Sequence, residues 1–95
     1  MVIIVTYDEN GGAWDHVAPP AADLLGPGSR VPTLIISPFA KKAYVDHTQY
    51  DTASVLRLIT RRYGLETLPG LATRDEALKA KGLAPMGDLT NALAL

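Results

Sequence analysis

Val2-Ile3-Ile4-Val5-Thr6-Tyr7 runs directly into Asp8-Glu9-Asn10-Gly11-Gly12. The first segment is mostly β-branched and apolar without alternation, the pattern of a strand covered on both faces. The second places two carboxylates, an amide and two glycines where that strand ends. In an open parallel α/β sheet, ligands bind in the crevice outside the carboxyl ends of the strands. Carboxylate and carbonyl oxygens suit hard divalent ions, and glycine allows a sharp turn with close backbone approach to a ligand. The same five residues also read as a plain strand-to-loop turn, since Asp, Asn and Gly favour turns for local reasons.

Outward from this stretch, Asn10 to Arg30 reads as a long Gly/Pro-rich loop with a short apolar patch at Ala21–Leu25. Gly26-Pro27-Gly28-Ser29-Arg30 lacks the Lys-Ser/Thr ending of a phosphate-binding glycine loop and precedes a strand, so it reads as a turn. Val31–Pro38 is the second strand of buried type, with Pro32 near its start, where a missing N–H is tolerated. A loop to Tyr50 leads to a helix over about Thr52 to Tyr63. Ala53, Val55, Leu56, Ile59 and Tyr63 form its apolar face. Asp51 stands at the N-cap, Arg61 and Arg62 gather near the C-terminus, and Gly64 suits the residue beyond it. Leu68-Pro69-Gly70 reads as a turn. Thr73-Arg74-Asp75-Glu76 has capping-box spacing and opens a short helix ended by Gly82. The tail from Pro85 is expected to be irregular, with Leu89, Leu93 and Leu95 available for packing.

Composition narrows the function classes. A net charge of −1 gives no electrostatic footprint for nucleic acid, and no nucleic-acid partner is expected. Without cysteine, neither a disulfide framework nor a thiolate metal site can form. No apolar run is long enough to span a bilayer, so stable membrane insertion is not expected. Met1–Val5 is too short for the apolar region of a signal peptide and lacks the basic region that precedes one.

Ninety-five residues fit one domain or part of one. Two strands of buried type with one main helix leave much apolar surface uncovered. At roughly 25 cal/mol per Å² of apolar area, that loss is comparable with the stability of a small domain. The chain is therefore expected to need upstream polypeptide, or self-association, to complete its sheet.

Taken together, the segments resemble the bacterial phosphoesterase family of phospholipases C and acid phosphatases. Thr6-Tyr7-Asp8-Glu9-Asn10-Gly11-Gly12-Ala13-Trp14-Asp15-His16-Val17-Ala18-Pro19-Pro20 is similar to the signature of that family. Gly26–Pro32 with the following Ile-Ile-Ser-Pro strand, Asp46–Arg57, and Gly87–Leu93 resemble its next three blocks, in the same order. The resemblance implies an α/β chain, residues 1–95 being the C-terminal fragment of an alkaline-phosphatase-like fold with parallel-type buried strands and covering helices. It implies hydrolysis of phosphate esters, either phosphomonoesters or the phosphodiester of a phospholipid head group. It carries the role of metal ligands to Asp8 and Glu9, with Ca²⁺, Mg²⁺ or Mn²⁺ favoured by oxygen donors. The other ligands and the hydroxyl nucleophile would lie upstream, so the isolated chain is expected to be inactive. Family members are usually exported.

His16 is a candidate catalytic residue, through a phosphate contact or a contact to a metal ligand; the alternative is a histidine that fixes its loop. His47, ahead of the main helix, reads more simply as a capping or packing residue. Two other functions compete: a non-catalytic remnant that self-associates through its strand edges, and a small anion-binding module resting on the glycine loops.

Overall fold

The computed structural model describes residues 1–95. Two strands, β1 (Ile3–Thr6) and β2 (Thr33–Ile36), form a two-stranded sheet, followed by helices α1 (Ser54–Tyr63) and α2 (Pro69–Ala80) and a 3₁₀ turn at Thr90–Ala92. The strands pair antiparallel, with Ile3 opposite Ile36 and Thr6 opposite Thr33. This corrects the parallel arrangement expected from the sequence. Parallel neighbours need a crossover, usually helical. Residues 7–32 contain no helix and lead the chain back along the strand it left.

The strands are also not buried. Ile3, Val5, Leu34 and Ile36 lie on one face of the ribbon and are all exposed, Leu34 to 63%. The opposite face carries the paired Ile4 and Ile35, which are half-covered, and the Thr6 and Thr33 hydroxyls, 2.8 Å apart. The apolar code for a doubly covered strand is present in the sequence. The layer that would cover it is not supplied by these residues.

Helix α1 repeats this situation. Its expected inward stripe is largely bare, with Leu56, Ile59 and Tyr63 exposed. Ser54 is buried instead, and the Arg57 guanidinium turns inward to meet Asp75 of α2 through two hydrogen bonds of 2.7 and 2.9 Å. Asp51 does not cap the helix with its side chain. Its carboxylate accepts from Arg74 at 2.8 Å, while its backbone N–H donates to Ser54 Oγ at 3.1 Å. Gly64 takes the left-handed conformation expected after the helix, with φ 63°.

Helix α2 begins earlier than its capping box indicates. Pro69 occupies the first turn, where its missing N–H costs nothing, so Leu68-Pro69-Gly70 starts the helix. Thr73 is then interior, and its hydroxyl donates to the Pro69 carbonyl at 3.1 Å. The core is small and sits on α2: Ala22, Leu78 and Met86 form its cluster. The tail is more ordered than expected. Ala40 and Leu93 form an antiparallel bridge, Ala94 N–H donates to the Phe39 carbonyl at 2.7 Å, and Leu89 and Ala92 are buried. Leu95 remains exposed. No helix is long and apolar enough to cross a membrane.

Candidate functional site

β1 ends at Thr6, and the acidic pair follows on an exposed bend. The Glu9 N–H donates to Asp8 Oδ1 at 2.9 Å, and the Gly11 N–H donates to Glu9 Oε2. Each carboxylate therefore spends one oxygen on its own loop, leaving the other without a protein donor. The chain then reverses over Asn10-Gly11-Gly12-Ala13, closed by Ala13 N–H to the Asn10 carbonyl at 2.8 Å. Gly11 and Gly12 have φ of +56° and +80°, the left-handed values that both central residues of such a turn require. A Cβ at either would touch nothing within 4 Å, so the demand for glycine is conformational, not steric. The turn reading and the site reading thus describe the same backbone.

The loop is held down from the far side by residues 29 and 30. Gly12 N–H donates to Ser29 Oγ at 3.1 Å, and Arg30 N–H donates to the Ala13 carbonyl at 3.2 Å. The Arg30 guanidinium meets Asp15 through Nε to Oδ1 at 2.7 Å and Nη2 to Oδ2 at 3.3 Å. The Arg30 hydrogen bond, supported by the Val17 N–H, lowers the Asp15 pKa below the ordinary carboxylate value. His16 projects from this loop with its side chain 82% exposed, and its Nδ1 lies 3.4 Å from Asp15 Oδ2.

Asp8, Glu9 and His16 do not converge with one another into a complete site. No group of three or more His, Asp or Glu side chains in the chain is placed to hold a metal ion. The donor chemistry of Asp8 and Glu9 fits a hard divalent cation, with two carboxylates each keeping an oxygen free. Their number fits a contribution to a coordination shell and not the whole of one. His47 is exposed ahead of α1.

A second polar cluster escaped the sequence reading. Asp46 Oδ2 accepts from the Tyr50 hydroxyl at 2.6 Å; Asp46 Oδ1 accepts from Thr48 N–H and from Asn91 Nδ2, each at 2.9 Å. Burial pushes the Asp46 pKa up, but the donors from Tyr50, Thr48 and Asn91 outweigh it and hold the pKa at about 2. Burial, with the Asp46 acceptor, pushes the Tyr50 hydroxyl up to about 12. Asn91 is 45 residues from Asp46 in sequence, so spacing alone gave no signal for this contact.

Comparison with known proteins places the chain in a family. A family model described as the phosphoesterase family matches residues 1–66. Phospholipase C B of Mycobacterium tuberculosis is 34% identical, over 94% of this chain and 20% of its own length. Non-hemolytic phospholipase C of Pseudomonas aeruginosa is 31% identical, over 95% of this chain and 16% of its own length. Non-specific phospholipase C1 of Arabidopsis thaliana is 30% identical over 70% of this chain. The chain thus spans about a fifth or less of the curated relatives it matches. No solved structure gives a significant match. The chain belongs to the phosphoesterase family, a family of phosphate-ester hydrolases.

Proposed function

We propose that residues 1–95 are the C-terminal segment of a phosphoesterase catalytic domain with an alkaline-phosphatase-like scaffold. Its activity is metal-assisted hydrolysis of phosphate esters, of acid phosphatase or phospholipase C type. The observation that carries this reading is the acidic pair at the end of β1, followed within three residues by two left-handed glycines and keeping one oxygen on each carboxylate free of protein donors. Asp8 and Glu9 hold a divalent ion with oxygen preference, such as Ca²⁺, Mg²⁺ or Mn²⁺, and polypeptide beyond these residues completes its shell. When bound, the ion neutralises charge on the phosphoryl oxygens and lowers the pKa of a hydroxyl or water nucleophile. His16, exposed on the same loop, contacts the ester phosphate or a further metal ligand. Turnover needs the additional polypeptide, so the isolated segment is inactive.

The bare apolar surfaces support the same reading. The Ile3/Val5/Leu34/Ile36 face and the Leu56/Ile59/Tyr63 stripe are of core type and lack a partner within residues 1–95. The relatives are several times longer, and the additional polypeptide of such a protein is the natural cover. A second reading, a non-catalytic piece that self-associates, is favoured by one feature: both outer edges of the two-stranded ribbon are unpaired.

A segment exchange tests the proposal. Residues 1–95 replace the matched segment of mycobacterial phospholipase C B, and hydrolysis of an aryl phosphate and of phosphatidylcholine is followed with and without chelator. The expected result is chelator-sensitive hydrolysis in the exchange protein, lost on Asp8→Asn, and none from the segment alone. Chelator-sensitive turnover by the isolated 95 residues would overturn the claim that parts are missing. Activity of the exchange protein that is indifferent to Asp8→Asn would overturn the assigned role of the acidic pair.

A further inference from the structure

We infer that Ser29 and Arg30, a pair to which neither the sequence motif nor the resemblance gives a role, are the positioning residues that set the geometry of the Asp8–Glu9 pair. The inference rests on the metal-binding reading of that pair. Three ties join the acidic turn to these two residues. Ser29 Oγ accepts from the Gly12 N–H, the Arg30 N–H donates to the Ala13 carbonyl, and the Arg30 guanidinium donates to both Asp15 oxygens. Glu9 is connected to the same frame through its carboxylate, which accepts from Gly11 N–H one residue before the Ser29 tie.

The need for such a strut follows from the glycines. Two consecutive glycines permit the observed turn but leave the chain many other conformations, so tethers are needed to hold it in one. The turn is exposed, and none of its residues belongs to the core cluster. Its only long-range tethers run to residues 29 and 30. A planar guanidinium that engages both carboxylate oxygens fixes direction as well as distance, which a lysine ammonium does less well. Arg30 also occupies Asp15, the neighbour of His16, so the strut reaches both candidate site elements.

The test uses the full 95-residue chain and Mn²⁺ alone, whose paramagnetism broadens nearby amide signals even when binding is weak. In the native sequence, Mn²⁺ broadens the Gly11 and Gly12 amides first. Groups that orient metal ligands typically change affinity about ten-fold or more when removed. Arg30→Gln and Ser29→Ala are each expected to require about ten-fold more Mn²⁺ for the same broadening. Arg30→Lys is expected to recover part of the loss. Without metal, the heteronuclear NOE of Gly11 and Gly12 falls in Arg30→Gln, while the α1 and α2 amide shifts stay in place. Unchanged Mn²⁺ dependence with an unchanged NOE overturns the strut. An unchanged response in an Asp8→Asn/Glu9→Gln double variant, or no broadening in the native chain, overturns the metal reading instead. The NOE then still decides whether Ser29 and Arg30 order the turn.

Discussion

The Tyr50 hydroxyl donates to the Asp46 carboxylate over 2.6 Å, and Asn91 closes on the same carboxylate from the C-terminal tail. One acidic side chain thereby joins the loop ahead of α1 to the 3₁₀ turn near the end of the chain.

This junction has a defined pH window. Asp46 is held at about 2, below its ordinary value of 3.8. Its contribution is present above the unfolded pKa and is lost as pH falls towards 2. Tyr50 is raised from 10.0 to about 12, so its contribution is complete below 10 and is lost as pH rises through 12. Tail docking, read from Asn91 side-chain amide shifts, should hold constant between these limits and fail on both sides. Tyr50→Phe should narrow the acid side, with Asp46 titrating at a higher pH by NMR.

Gly87 has no room for a side chain. A Cβ there would lie 2.6 Å from Tyr50 Cε1 and 2.9 Å from Thr48 Cγ2. Gly87→Ala should displace the Tyr50 ring and cost about 1–3 kcal/mol in urea unfolding. A Tyr50→Ala background should absorb much of that cost, because the two changes act on one contact.

Arg74 is the joint between three segments. It donates to Asp23 in the long loop at 3.1 Å and to Asp51 ahead of α1 at 2.8 Å, from its place on α2. The Asp51 side chain is only 3% exposed, so removing its partner strands a buried charge. Arg74→Ala should destabilise the chain by about 3 kcal/mol, against less than about 1 kcal/mol for the exposed Arg61–Asp88 pair. Urea melts of the two single variants make the comparison directly.

The bare face of the ribbon predicts association. Ile3, Val5, Leu34 and Ile36 present contiguous apolar surface beside two open strand edges. The isolated chain should elute larger than a monomer on sizing chromatography and bind a hydrophobic dye. Val5→Lys with Leu34→Lys should reduce both signals while leaving helical circular dichroism intact. A native chain that runs as a monomer and binds no dye would refute this prediction.

Local chemistry was legible without a structure. Gly64 follows α1 in the left-handed conformation because no other residue adopts it so cheaply. The acidic turn after β1 was legible for the same reason, through Gly11 and Gly12. The beginning of α2 was misread because Pro69 serves equally as a turn former and as a first helical residue, and only the following turns of helix decide between them. The Asp51 cap failed because Arg74, 23 residues away, competes for its carboxylate.

By itself, the sequence determined the two strands, the main helix, the glycine turn after β1 and the family the chain resembles, because φ preferences and apolar patterning act over a few residues. Only the tertiary structure decided the direction of strand pairing, the face that α1 turns inward, and the partners of Asp46, Asp51 and Asp15. Those outcomes depend on which distant groups compete for the same donor or surface, and that competition is settled in space.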